Sequence, residues 1–179
     1  ANPKKGRSAA RNRGLEEATG DLVVFLDGDA LAAPDHLERF AQAFEVHGPQ
    51  CLLCGMQFSL PELEFFKDPQ SGTLYPDVPV AGVITDFVGL RRQELIVTER
   101  MIAADFGAIR SRAKEGGYPF EESKRRQEEA RALLQERPDA ESTWLAFIPH
   151  NGAGSREVLL EAGGFDEEIP FSEGWELAY

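Results

Sequence analysis

Leu22-Val23-Val24-Phe25-Leu26-Asp27-Gly28-Asp29 is the stretch on which the reading of this chain turns: five apolar residues run straight into two carboxylates flanking a glycine. An unbroken apolar run with Val and Phe in it predicts a strand buried on both faces, where no polar alternation is needed. Gly28, without a side chain, is expected to permit the turn that carries Asp27 and Asp29. Open α/β sheets bind their ligands just beyond the carboxyl ends of the strands. Two adjacent carboxylates there are hard oxygen donors, suited to Mg2+ or Mn2+ accompanying a phosphate-bearing substrate. A solvated Asp-Gly turn is the plainer reading of the same residues.

The flanks predict alternating elements. Gly6–Ala18 holds helix formers with Ser8 as a candidate cap, and Gly20 stops that helix before a strand over Asp21–Leu26. Pro34 and Asp35 open a second helix, whose Leu37, Phe40, Ala41 and Phe44 recur at helical spacing and are expected to pack on the sheet. Gly48-Pro49 ends it, and Cys51–Phe58 reads as the next strand. Near the other terminus, Trp144–Ile148 reads as a strand, Asn151–Gly154 as a loop, and Ser155–Ala162 as a helix capped by Ser155 and ended by Gly163-Gly164. Such alternation predicts one layered α/β domain over residues 1–179. Residues 59–138 break the pattern with Pro61, Pro69, Pro76 and Pro79, a helical stretch over Leu90–Lys114, and a charged helix over Glu121–Arg137. This region reads as an irregular insertion or lid.

Charge narrows the partners. Thirty-one acidic against 19 basic residues leave a net charge of −12, which excludes nucleic-acid binding through the phosphate backbone and disfavours an anionic membrane surface. No apolar run reaches the length of a membrane span and no leader pattern opens the sequence, so a soluble, cytoplasmic protein is expected. Cys51 and Cys54 are spaced C-x-x-C, but a strand would point them to opposite faces, and no second ligand pair accompanies them. They are expected to be buried, reduced and structural. His150, beside Asn151 at a strand end, reads either as a further metal donor or as a hydrogen-bonded structural histidine. His36 and His47 read as helix surface.

Three pieces stand in one order: Gly6-x-Ser-Ala-Ala-Arg-Asn-x-Gly14, then Val24-Phe-Leu-Asp-Gly-Asp29, then Asn151-x-Ala-x-x-Arg156 followed by Gly163-Gly-Phe-Asp-Glu167. With Phe171–Tyr179 trailing, they closely resemble the inverting nucleotide-sugar glycosyltransferases of the family-2 type, over roughly residues 1–55 and 144–179. The resemblance implies the GT-A fold, a Rossmann-like mixed sheet flanked by helices. It implies that Asp27 and Asp29 form the D-x-D pair around Gly28 and are both metal ligands, Asp29 foremost and Asp27 nearer the ribose and diphosphate. Arg7, Arg11 and Asn12 then belong beside the nucleotide. Asn151, Gly164, Asp166 and Trp175 belong to the acceptor side, together with Arg156. The implied cofactor is Mg2+ or Mn2+. The implied partners are a nucleoside diphosphate sugar, UDP-linked by preference, and a glycan or lipid-linked acceptor, which admits a peripheral position at the inner membrane face.

Two departures from the family pattern matter. Family members carry a first nucleotide-binding strand and loop before the Gly6 segment, so this sequence is expected either to be a fragment or to use a different element there. The family's base lies in a Glu-Asp pair, whereas Glu173-Gly174 precedes Trp175-Glu176 here, leaving Glu173 or Glu176 as the candidate base. A glycosyltransferase-like module that binds nucleotide or glycan without turnover is therefore an alternative. An Asp-x-Asp phosphatase is a third reading, disfavoured because Ala30-Leu31 follows the second Asp.

Overall fold

A computed structural model describes residues 6–60, 66–68, 73–74, 97–115, 121–137, 146–169 and 177. Its elements in chain order are α1 (Arg7–Glu17), β1 (Leu22–Leu26), α2 (His36–His47), β2 (Leu53–Cys54), β3 (Phe58–Ser59), β4 (Phe66–Asp68) and β5 (Thr73–Leu74). There follow α3 (Glu99–Ala104), α4 (Phe106–Arg112), β6 (Lys114–Glu115), α5 (Glu121–Glu136), β7 (Asn151–Ser155) and α6 (Arg156–Glu161). The chain divides into two compact units, one of residues 1–56 with 128–179 and one of residues 57–127.

The first unit is built on a three-stranded sheet ordered β1-β7-β2. Both pairings are antiparallel, so β1 and β2 run the same way with β7 reversed between them. The resemblance implies a mixed sheet; every pairing among the described strands is antiparallel. Val23 opposes Gly154 and Phe25 opposes Gly152, while the Asp27 N–H donates to the His150 carbonyl at 3.2 Å and the Arg156 N–H to the Asp21 carbonyl at 2.8 Å. In an antiparallel ladder a residue's N–H and C=O point to the same side. Asp21, Val23, Phe25 and Asp27 therefore face β7, and the backbone groups of Leu22, Val24 and Leu26 face away from the sheet. Among the described residues no strand pairs with that edge.

β1 is thus not buried on both faces. Val23 and Phe25 are buried, Leu22 and Val24 are half-buried, and Leu26 is 40% exposed. The buried pair joins Leu15 of α1, Leu159 of α6 and Phe165 in the core, with the Phe25 and Phe165 rings edge to face at 5.2 Å. Such alternation is what an antiparallel strand shows when one face of its sheet packs on the core and the other is more open, even when its sequence is apolar throughout.

Asn151–Ser155, expected to be a loop, is the central strand β7. Its small residues are demanded by what packs on one face of the strand. A methyl at Gly152 would lie 2.7 Å from the Phe147 ring, and one at Gly154 would lie 2.8 Å from Leu52 Cδ2. Conversely, Phe147 and Ile148, expected in a strand, lead into a turn at Pro149-His150. α6 follows as expected, with the Ser155 hydroxyl accepting from the Val158 N–H at 3.4 Å.

Other expectations shift in detail. α1 is opened by Gly6 at φ 121°, and Ser8 is buried inside the helix rather than capping it. α2 buries Phe40 and half-buries His36, Ala43 and Phe44, whereas Leu37 is 67% exposed and Ala41 is also exposed. The apolar face is rotated by a residue, because His36 packs edge to face on Phe40 with ring centroids 5.1 Å apart. Its Nε2 is buried without a protein partner, so His36 is not helix surface.

In the second unit β3 pairs antiparallel with β6, and β4 with β5. The helical stretch read over Leu90–Lys114 is two helices within the described residues. They break at Asp105, whose carboxylate accepts from the Ala108 N–H at 3.0 Å and caps α4. The Arg110 guanidinium lies 3.3 Å over the Phe58 ring. The charged helix read over Glu121–Arg137 is α5, and its Leu134 is 38% exposed.

The cysteines are the clearest miss. Both are free and solvent-exposed, because β2 is only two residues long and Cys51 precedes it. The Cys54 thiol nonetheless reaches the Ile148 carbonyl at 3.9 Å, and partial burial pushes its pKa up despite that acceptor. Alkylation proceeds through the thiolate. Iodoacetamide at pH 8 is therefore expected to label Cys51 first and Cys54 more slowly than a small-molecule thiol. Peptide mass spectrometry over time reads this, and equal rates at the two positions would contradict it.

Candidate functional site

The carboxyl end of β1 is where the chain gathers its charges. The Ala30 N–H donates to the Asp27 carbonyl at 3.1 Å, closing a turn with Gly28 and Asp29 at its centre. Gly28 does not adopt a positive φ, and a methyl there would meet nothing within 4 Å. The turn therefore does not require glycine. The small residue instead leaves open space above the strand end.

Arg7, Ala10, Arg11 and Gly14 of α1, with its C-cap Ala18, form one face beside β1, whose outward backbone edge pairs with no strand among the described residues. Between that face and Leu22–Gly28 lies an open groove of about 530 Å3. The spacing is helical arithmetic: residues at i, i+4 and i+7 share a face, and three of these five carry no side chain beyond Cβ. Arg7 is exposed at the mouth. Arg11 is nearly buried, its side chain 10% exposed, with Nη2 donating to Asp27 Oδ1 at 3.1 Å. Its guanidinium also lies 5.6 Å from the Phe165 ring centroid, within cation–π range.

His150 belongs to the same cluster. Burial pushes its pKa down and opposes the attraction of Asp27 and Asp29, while Arg11 and Arg7 push it down further. The imidazole is therefore poised as a neutral group at the strand end.

Asp27 and Asp29 suit a divalent cation that takes its remaining oxygens from a diphosphate and water, since Mg2+ commonly uses one or two carboxylates together with substrate phosphates. Among the described residues no group of three or more His, Cys, Asp or Glu side chains is placed to hold a metal ion alone. The donor chemistry of Asp27 and Asp29 fits a site shared with a phosphate-bearing ligand.

The other sequence-derived residues divide by position. Asn151 opposes Leu26 at the same end of the sheet. It is 9% exposed, and its Nδ2 donates to the Met56 carbonyl at 3.1 Å while Oδ1 is buried without a protein partner. Asn12 lies on another face of α1, with its carboxamide on the Phe165 backbone. Gly164 sits against that carboxamide, and Asp166 Oδ1 accepts from the Glu168 N–H at 2.8 Å within its own turn. Arg156 is at the opposite end of the strand pair, where its Nη2 donates to the Glu16 carbonyl at 3.4 Å. Six residues of extended chain separate Asp21 from Asp27, about 20 Å, so Arg156 does not join the Asp27 cluster. Glu173, Trp175 and Glu176 lie outside the described residues.

Phe165 stands in the Gly163–Glu167 motif without a role of its own in the sequence reading. The structure shows it buried at 1% exposure beneath Arg11. The signal that points to this role is the Gly163-Gly164 pair before it, which turns the chain back toward α1.

A small antiparallel sheet flanked by helices, with paired carboxylates and arginines beyond a strand's carboxyl end, defines an α/β domain with its charged cluster where ligands of such domains commonly bind. Comparison with known proteins makes the class specific. The sequence model of Glycosyl transferase family 2 matches residues 1–159, and the chain belongs to that family. A relative described as the uncharacterized glycosyltransferase YwdF of Bacillus subtilis (strain 168) is 34% identical over 71 residues, covering 40% of this chain and 24% of that protein. The match thus spans about a quarter of the relative's length. No solved structure matches the chain significantly.

Proposed function

We propose that this chain carries the donor-handling part of an inverting, metal-dependent glycosyltransferase of the GT-A type. It would move a sugar from a nucleoside diphosphate, UDP by preference, to a hydroxyl of a glycan or lipid-linked acceptor. The observation that carries this reading is the meeting of Asp27 and Asp29 with Arg7 and Arg11 around one strand end. Phosphate recognition favours guanidinium groups. Arg7, at the mouth of the groove, is the residue to reach the diphosphate, while Arg11 orients Asp27. Asp27 and Asp29 are the residues that would hold a divalent cation, which when bound would supply charge neutralisation for the departing diphosphate. The acceptor oxygen bonds to the anomeric carbon as the bond to the diphosphate oxygen breaks, and a carboxylate takes the hydroxyl proton. Glu173 or Glu176 is the candidate for that base.

The edge of β1 that pairs with no strand among the described residues suits a further strand, which the family resemblance implies for the nucleotide half of the site. No helix among the described residues is long and apolar enough to cross a membrane. A cytoplasmic reaction, or one carried out peripherally at the inner membrane face, is part of this proposal.

The test uses the full-length protein with UDP-sugars and a soluble acceptor. Turnover with Mn2+ or Mg2+, its loss with EDTA and its return on adding cation are expected. Metal-independent turnover would remove the metal from the proposal. The second reading, a module that binds without transferring, is favoured by Gly174 at the position where the resemblance expects an Asp. Calorimetry separates the two: binding of UDP with Mn2+ without turnover supports the module, and no binding removes both.

A further inference from the structure

We propose that Asn12 is a positioning residue of the Asp27 site and touches no ligand itself. Its carboxamide is committed inside the protein. Oδ1 accepts from the Phe165 N–H at 2.8 Å, and Nδ2 donates to the Phe165 carbonyl at 2.8 Å and to Glu167 Oε1 at 3.2 Å. A primary amide has two N–H donors, and both are used here, so the group offers a ligand no donor. Asn12 therefore acts on Phe165 as a neighbouring strand would, gripping both backbone groups of one residue from the side of a helix.

Three further contacts turn that grip into a relay. The Phe165 ring is fixed edge to face on Phe25 of β1, at 5.2 Å. The Arg11 guanidinium rests 5.6 Å from the centre of the same ring. Arg11 Nη2 donates to Asp27 Oδ1. Asn12 and Arg11 are adjacent on α1, so one turn of helix holds both the clamp and the group that the clamp positions. Without the clamp the Gly163–Glu167 turn is released from α1, the ring loses its fixed place, and the guanidinium loses the surface on which it lies. The Asp27 carboxylate then loses its orienting partner.

This inference rests on reading Asp27 as a donor-site carboxylate, but its primary test does not. In the full chain, the Arg11 Nη resonances are followed by 15N NMR, where a guanidinium fixed by an ion pair and a ring shows slowed rotation. Asn12→Ala is expected to abolish that slowing. Ser155→Ala, which removes the α6 cap, is expected to lower Tm while leaving the Arg11 signature intact. Phe165→Leu keeps the Asn12 clamp and removes the ring, and it is expected to free Arg11 as well, which decides the matter where Asn12→Ala does not fold. An Arg11 signature unchanged in either folded variant overturns the relay.

As a second readout, affinity for UDP with Mn2+ is expected to fall roughly 10- to 100-fold in Asn12→Ala, the usual effect of losing a residue that orients a metal ligand. Unchanged affinity with Arg11 freed overturns the link to the site. If the wild-type chain binds no UDP with Mn2+, the donor-site reading fails, and the Arg11 signature still decides whether Asn12 positions Asp27.

Discussion

Asp29→Ala is expected to lower sugar transfer by roughly a hundred- to a thousand-fold, since a cation contributes several kcal/mol to stabilising a leaving phosphate and each 1.36 kcal/mol is tenfold in rate. Stability should change little. Asp29 is exposed at the centre of its turn, and substitutions of such residues usually stay within about 0.5 kcal/mol. Asp27→Asn is the instructive companion. An amide oxygen can still accept from Arg11, so the relay survives while the charge for the cation is lost. The activity of Asp27→Asn should therefore recover partly at high Mn2+, whereas that of Asp29→Ala should not. Initial rates against Mn2+ concentration, with thermal melts of each variant, read both claims. Full activity in Asp29→Ala would remove the carboxylate pair from the chemistry.

What the sequence made legible and what it hid follow from one distinction. The end of β1, the Ser155 cap and the Gly163-Gly164 stop were readable because each rests on local chemistry: an apolar run closed by carboxylates, a hydroxyl accepting from a first-turn N–H, glycine at a helix end. β7 was not readable because Asn151-Gly-Ala-Gly-Ser155 has the composition of a loop. Its strand character comes from outside, from Phe147, Leu52 and Leu159 pressing on it and from the ladders on either side. Tertiary packing overrides a weak β-propensity in this way. The exposed cysteines have the same origin, since they depend on where β2 ends. Asp27, Gly28, Arg7 and Arg11 could be placed together from family order alone, but the division of labour between the arginines could not. Both sit on one face of α1, and the structure buries Arg11 against Phe165 and Asp27 while Arg7 stays exposed.

The glycine pair after α6 offers the sharpest stability test, because two adjacent residues with similar backbones should respond very differently. Gly163 and Gly164 have φ of 89° and 71°, and their N–H groups donate to the Leu160 and Leu159 carbonyls, closing the helix end. For either residue, Ala introduces left-handed strain of about 1–2 kcal/mol. At Gly163 nothing more is expected, since a methyl there meets no atom within 4 Å. At Gly164 the methyl would lie 2.6 Å from Asn12 Oδ1, a contact that the carboxamide must leave to relieve. Its three hydrogen bonds to Phe165 and Glu167 are then at stake, each about 1 kcal/mol net. Gly164→Ala should cost about 3–5 kcal/mol in all, against about 1–2 for Gly163→Ala, a difference that denaturant melts of the two variants resolve. Because the displaced group is the clamp on Phe165, Gly164→Ala should also free the Arg11 guanidinium at temperatures where the variant is still folded, and Gly163→Ala should not. Equal losses of stability would mean that strain alone governs the turn and that the Asn12 carboxamide moves aside without consequence.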